Sequence, residues 1–163
     1  MRLLAIPTVM LALLVGCGTY INIPKQPADV AWHSANDFTV KRVSAAALKY
    51  LIDRMPSAQA YGVQLSPGST DLTYKFVMEQ LPNTPHRQRV GEIKLPTYSV
   101  VGVFVRADDA QVDIIRPTAD GGGQLVSVYL AFTIDGWYGK RHRVWNIPVT
   151  DAIKASTPGE TIQ

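Results

Sequence analysis

The chain contains a single cysteine, Cys17, among its 163 residues. One thiol cannot form an internal disulfide, so the sequence excludes a small secreted scaffold held together by disulfides. Histidine is also scarce: His33, His86 and His142 are far apart and form no HExxH or other metal-binding spacing. A GxSxG nucleophile motif is absent as well. The sequence therefore predicts no metal, no cofactor and no catalytic residue.

Charge of either sign is modest. Sixteen lysines and arginines against thirteen aspartates and glutamates give a formal net charge of +3. This small charge does not predict binding to nucleic acid. Hydrophobic residues make up 47% of the chain and charged residues only 18%, which is far from the composition of a disordered protein. We expect a single domain with a substantial hydrophobic core.

No apolar run is long enough to cross a bilayer. The longest, residues 3–15, holds roughly 13 residues, whereas a spanning helix needs on the order of 20. It follows the positive charge of Arg2 and ends in small residues before the cysteine, in the order Leu14, Val15, Gly16, Cys17. This arrangement is typical of a signal peptide, which is removed from the mature protein. Residues 1–16 are therefore predicted to be a signal peptide.

Leu14, Val15, Gly16 and Cys17 resemble the lipobox of bacterial lipoproteins. In that family a transferase attaches diacylglycerol to the cysteine thiol, and a peptidase then cuts before the cysteine. The resemblance implies an exported protein whose domain lies outside the cytoplasm. Its expected partner is the membrane, to which lipid on Cys17 would attach it. Two or three acyl chains, as in the family, would anchor it stably to the cell membrane or the outer membrane. The domain behind Cys17 resembles no family.

Residues 17–35 are predicted to be the lipidated cysteine and a flexible tether. They contain Pro24 and Pro27 and show neither a helical nor a strand period. Within them, Tyr20–Ile23 offers an alternative, a short edge strand added to the domain. The domain itself is assigned to residues 36–149. Residues 150–163 have little apolar content and are predicted to be a loosely ordered tail.

Hydrophobic periodicity predicts the elements of the domain. Apolar residues at spacings of three and four predict helices over residues 39–55 and 71–81, which Pro56 and Pro82 end. A long polar connection is expected over residues 83–96. Alternation with period two predicts strands at residues 61–65, 100–106, 111–116, 124–134 and 137–147. The expected fold class is α+β, with two helices packed on one face of a mainly antiparallel four- to five-stranded sheet.

The register of the last hairpin is open in the sequence. Asp135 and Gly136 are a strong turn signal. A two-residue loop would place Arg141 opposite Leu130 and Arg143 opposite Val128, on the apolar face. A bulge with a three-residue loop would instead place on that face Tyr138, Lys140, His142 and Val144.

Either register gives the last strand a mixture of cationic and aromatic residues. One interpretation is an edge strand whose cations prevent pairing with a second chain. The other is a cleft for an anionic or sugar-like ligand. The candidate ligand-binding residues are Trp137, Arg141, His142, Arg143 and Trp145.

The sequence as a whole favours a membrane-anchored envelope lipoprotein with a small, non-catalytic binding or assembly domain. Its expected partners are the membrane, through Cys17, and an envelope protein, with no nucleic acid. Two alternatives stay open: an envelope hydrolase, and a small-ligand carrier with a cleft along the strand from residue 137 to residue 145.

Overall fold

The computed structural model describes residues 20–24, 34–56, 60–87 and 95–148. Two helices are present, α1 (Phe38–Arg54) and α2 (Asp71–Met78). The strands are β1 (Tyr20–Ile23), β2 (Ala60–Gln64), β3 (Thr84–Arg87), β4 (Thr97–Arg106), β5 (Asp109–Pro117), β6 (Gly123–Thr133) and β7 (Gly136–Pro148). The α+β fold class is confirmed. The predicted signal segment, including Leu14, Val15, Gly16 and Cys17, and the predicted tail, residues 150–163, lie outside the described residues.

Helix α1 forms where the apolar periodicity predicts it. The side chain of Asp37 caps its first turn by accepting a hydrogen bond from the Thr39 amide at 2.8 Å. Its apolar stripe, from Val40 to Ile52, is buried against the sheet. Helix α2 begins with Thr70 as its cap and ends at Met78, three residues before the predicted end.

The seven strands of the described residues form one mixed sheet: six follow the order β3-β2-β4-β5-β6-β7, and β1 pairs with β4 beside this path. Strand β4 has β5 along one side. Its other side is shared, because β2 runs parallel to its first half while β1 runs antiparallel to its second half. The prediction of four to five strands is wrong, since it omits β1 and β3. Strand β3 lies within residues 83–96, where the sequence predicts a polar connection. Helix α2 forms the crossover between β2 and β3, and β3 therefore pairs parallel with β2.

Residues 20–23 belong to the sheet and are not part of a tether. Ile21 pairs with Val105 and Ile23 with Val103, and both isoleucines are buried in the core. The burial of these two side chains explains why the segment joins β4 despite its short length. The tether prediction is wrong for these four residues, and the edge-strand alternative is the one the structure shows. Residues 17–19 and 25–33 are outside the described residues.

The β6–β7 hairpin changes register along its length. Near the turn, Phe132 pairs with Trp137 and Leu130 with Gly139. Lys140 is then an extra residue in β7, and beyond this bulge Val128 pairs with His142. The first predicted register, with arginines on the apolar face, is wrong. The second is confirmed only beyond the bulge, for His142 and Val144.

Both helices pack on one face of the sheet, which the alternate residues of the strands make apolar. That face includes Val103 and Val105 of β4, Val112 and Ile114 of β5, and Val126, Val128 and Leu130 of β6. We call the opposite face of strands β4 to β7 the open face, because no described helix covers it.

Candidate functional site

The open face of the sheet carries a concavity of about 400 Å³. Its lining comes from three neighbouring strands: Phe104 and Arg106 of β4, Asp109, Ala110, Gln111 and Asp113 of β5, and Tyr129 of β6. Gly102 shapes the floor. A Cβ atom there would lie 2.9 Å from the Phe104 ring, so only glycine lets this ring lie against the sheet.

A chain of hydrogen bonds crosses the open face from β7 to β5. The Trp145 indole donates to the Ser127 hydroxyl at 2.9 Å, and this hydroxyl donates to the Asp113 carboxylate at 2.6 Å. The side-chain amide of Gln111 also donates to this carboxylate oxygen, at 2.9 Å, so the oxygen accepts two hydrogen bonds. The sheet register explains the chain, because Asp113 pairs with Ser127 across β5 and β6. These bonds fix the side chains beside the concavity.

Three arginines of the open face stack on aromatic rings. Arg141 lies 4.4 Å from the ring centre of Tyr129, and Arg143 lies 3.9 Å from that of Trp145. Arg106 lies 5.0 Å from that of Tyr20. None of the three forms a salt bridge with a carboxylate of the described residues. Stacking on a ring face restricts the plane of a guanidinium while leaving its in-plane N–H groups able to donate hydrogen bonds.

The structure divides the five candidate residues between the two faces of β7. Arg141, Arg143 and Trp145 lie on the open face. Trp137 and His142 lie on the helix side, where Trp137 packs on Phe132 and His142 Nδ1 lies 3.4 Å from the Tyr50 hydroxyl. The bulge at Lys140 causes this division, because an extra residue reverses the side to which following residues point. A cleft lined by all five residues is therefore not formed.

Sequence reasoning missed the β4 and β5 contribution to the site. The sequence predicts only that these strands contain Phe104, Arg106, Gln111 and Asp113, and it gives these four residues no role in a site. A signal is present, since polar residues alternate with buried ones along β5 in the order Gln111, Val112, Asp113, Ile114. The sequence does not show, however, that these positions face the same side as Tyr129 and Arg141.

Two pairs of titratable side chains among the described residues, Asp109 with Asp113 and His86 with His142, are too far apart to act together in catalysis. Asp109 and Asp113 are four residues apart on one strand, which separates their Cα atoms by about 13 Å, beyond the roughly 5 to 9.5 Å of glycosidase carboxylates. His86 on β3 and His142 on β7 lie at opposite edges, about 24 Å apart over five strand spacings. Among the described residues, no three His, Cys, Asp or Glu side chains converge as a metal site.

A small-ligand carrier would need space between the helices and the sheet. The crevice between α1 and α2, lined in part by Val40, Leu65 and Val77, has no volume for a water-sized molecule. The packing of this crevice therefore does not favour the carrier alternative, whereas the concavity of the open face has room for a ligand.

Comparison with protein families, curated proteins and solved structures finds no match for this chain. Within the part of the chain that the structure describes, no helix is both long and apolar enough to cross a bilayer.

Proposed function

We propose that this protein is a lipid-anchored envelope lipoprotein that binds an envelope protein through the open face of its sheet, without catalysis. The observation that carries the binding role is the set of three stacked guanidiniums around the concavity. The anchoring role is supported by the lipobox resemblance of Leu14, Val15, Gly16 and Cys17. On this proposal the mature protein begins at Cys17 and its domain lies outside the cytoplasm.

The chemistry of the open face favours a protein partner with carboxylates at its contact surface. Arginine, tyrosine and tryptophan are the residue types that contribute most often to binding hot spots, and the open face presents Arg141, Arg143, Tyr129 and Trp145 together. Planar guanidiniums already held by stacking would form bidentate pairs with carboxylates at a low cost in side-chain entropy.

Photocrosslinking in intact cells tests the binding role. A photoreactive amino acid at Gln111, in the concavity, should give an adduct with one defined protein. The same amino acid at Leu72, which is exposed on α2, should not give that adduct. Combining the Gln111 probe with Arg141→Glu and Arg143→Glu should abolish the adduct, because like charges then face each other across the interface.

Two outcomes would contradict the binding role. One is an identical adduct from Leu72 and Gln111, since the contact would then not be specific to the open face. The other is an adduct from Gln111 that persists unchanged after both charge reversals. Circular dichroism of the purified double variant checks that the domain stays folded, as expected for substitutions at two exposed side chains.

A further inference from the structure

One end of the sheet brings together the start of β1 and two turns. The register runs across this end as a continuous row on the open face: Tyr20, Arg106, Asp109, Ala131, Tyr138. Just beyond the row lie the β4–β5 turn, residues 107–108, and the β6–β7 turn at Ile134 and Asp135. We call this end of the molecule the tip end.

Exposed apolar side chains are concentrated at the tip end. The described residues contain six large hydrophobic side chains that are exposed, and four of them lie here. Their exposed fractions are 39% for Tyr20, 43% for Phe132, 47% for Tyr138 and 100% for Ile134. Ile134 is at the apex of the hairpin. A fully exposed isoleucine at this end, together with three half-exposed aromatic residues, is costly in water and suited to a partner that is itself apolar.

The anchoring cysteine is close to the tip end along the chain. Cys17 precedes Tyr20 by three residues, so the two Cα atoms can be at most about 11 Å apart. Tyr20 and Tyr138 are four strand spacings apart in the row, about 19 Å. Lipid on Cys17 would therefore hold the tip end beside the bilayer, whereas the loop between β5 and β6 is at the far end of the strands.

We propose that the tip end inserts into the headgroup region of the membrane, with Ile134 entering deepest and Tyr20 and Tyr138 at the interface. This inference rests on the proposed lipid attachment at Cys17. Tyrosine suits the interface because its ring is apolar and its hydroxyl reaches water, while a protruding isoleucine enters the acyl boundary. The strands then lead away from the membrane and present the open face to a partner beside it.

The charges of the tip end balance each other, so the proposed contact with the membrane is apolar and not electrostatic. Three cations, Arg42, Arg106 and Lys140, are matched by three carboxylates, Asp108, Asp109 and Asp135. Arg42 belongs to this end because its guanidinium lies beside Gly136, where a Cβ atom would be 2.8 Å from Nη2, and Lys140 forms a salt bridge of 3.7 Å with Asp109. A balanced set is not attracted to anionic lipid. Zwitterionic lipid is therefore sufficient, and salt should have little effect.

Depth-dependent quenching on the lipidated, full-length protein tests the inference. Lipidation consumes the Cys17 thiol, so a cysteine introduced by Ile134→Cys is the only thiol available for a fluorescent label. The control is Ala119→Cys, an exposed position in the β5–β6 loop at the opposite end of the sheet. In phosphatidylcholine vesicles with a spin label on the upper acyl chain, the label at 134 should be quenched about twofold more than the label at 119.

The outcomes separate this inference from the proposed function. Protein that floats with the vesicles but shows equal quenching at 134 and 119 overturns the insertion of the tip end and leaves anchoring intact. Protein that does not float at all overturns the lipid attachment instead. Quenching at 134 that requires phosphatidylglycerol and disappears in high salt also overturns the inference, because it would show an electrostatic contact.

A label at Tyr138, introduced by Tyr138→Cys, gives a second position on the same surface. Its quenching should lie between the values at 134 and 119, because Tyr138 is in the third residue pair below the apex of the hairpin. Quenching at 138 that exceeds the value at 134 would overturn the proposed orientation.

Discussion

Gly139 of β7 lies against Tyr50 of α1. A Cβ atom at this position would overlap the ring of Tyr50. Gly139→Ala should therefore destabilise the domain by about 1 to 3 kcal/mol, the range for overpacked cores, as measured by urea unfolding. In a Tyr50→Ala background the same substitution should cost less, because the overlapping ring is gone and only the Cβ atom at residue 50, 2.9 Å away, stays close. An equal cost in both backgrounds would contradict this explanation.

The hydroxyl of Tyr61 makes the free energy of unfolding depend on pH. Burial raises the pKa of its hydroxyl from 10.0 to about 12, and this hydroxyl donates to the Pro82 carbonyl at 2.5 Å. A pKa that is higher in the folded state means that the stabilisation is present below pH 10 and is lost as the pH rises towards 12. The loss should reach about 2 to 3 kcal/mol.

Urea unfolding at neutral and alkaline pH measures this loss. Tyr61→Phe should be less stable at neutral pH, because the Pro82 carbonyl loses its donor, but it should lose less stability on going to alkaline pH. An alkaline loss of the same size in Tyr61→Phe and in the unchanged protein would show that other groups cause it.

The two helices, at the scale of elements, are joined through one side chain. The side-chain oxygen Oδ1 of Asn36 accepts hydrogen bonds from the backbone amide of Thr70 at 2.8 Å and from the Thr73 hydroxyl at 2.7 Å, at the start of α2. Its amide donates to the Gly68 carbonyl at 2.9 Å. Asn36 precedes α1 by two residues, so it fixes the start of one helix against the start of the other.

Asn36→Ala should destabilise the domain by about 1 to 3 kcal/mol, since two donors and one acceptor lose their partner. Asn36→Asp keeps the acceptor oxygen and should cost less than Asn36→Ala. Asp37→Ala is the comparison for an ordinary cap, with a cost of about 1 kcal/mol. Thermal unfolding of the three variants gives the order. A cost for Asn36→Ala no greater than that for Asp37→Ala would contradict the role of Asn36 in joining the helices.

The boundary of the domain is a property of the whole molecule. Strand β1 contributes Ile21 and Ile23 to the core, so a soluble variant that begins at residue 36 should lose about 3 to 6 kcal/mol from these two side chains alone. This is a large fraction of the roughly 5 to 15 kcal/mol that stabilises a typical domain. A variant that begins at residue 18 should keep its full stability.

Urea unfolding of the two shortened variants checks this boundary. The variant that begins at residue 36 should unfold at a much lower urea concentration or be unfolded without urea. Ile21→Ala within the longer variant is the matched control and should cost about 2 to 5 kcal/mol. Equal midpoints for the two lengths would place the domain boundary after β1, as the sequence predicted.

The proposed attachment to the membrane through Cys17 determines where the whole molecule is found. Cys17→Ser should leave the domain folded but move it from the membrane fraction to the soluble fraction, because the thiol is the predicted acceptor of lipid. Fractionation of cells followed by immunodetection measures the change. Ser127→Ala is a suitable control that alters the open face and not the anchor. A membrane fraction unchanged by Cys17→Ser would contradict lipid attachment.

Local patterns in the sequence determined the α+β class, both helices and the strands from β4 to β7. These predictions succeed because helical and strand periods are read within a few residues, as in the stripe from Val40 to Ile52 or the alternation along β6. The lipobox is likewise a local pattern, and the prediction it gives for Cys17 remains a prediction. The sequence also named Arg141, Arg143 and Trp145, because cations and aromatics interrupt an otherwise apolar strand.

Only the tertiary structure decided which residues share a face. The bulge at Lys140 sends Arg141 and Trp145 to the open face and His142 to the helices, and one extra residue in a strand has no signature in the period of its neighbours. Strand β3 was missed and strand β1 was only an alternative to the tether, because four residues give too short a pattern and the stability of these strands comes from pairing with β2 and β4, distant in the chain. The site is formed by such long-range pairings, which is why composition and spacing predicted its residue types but not its location.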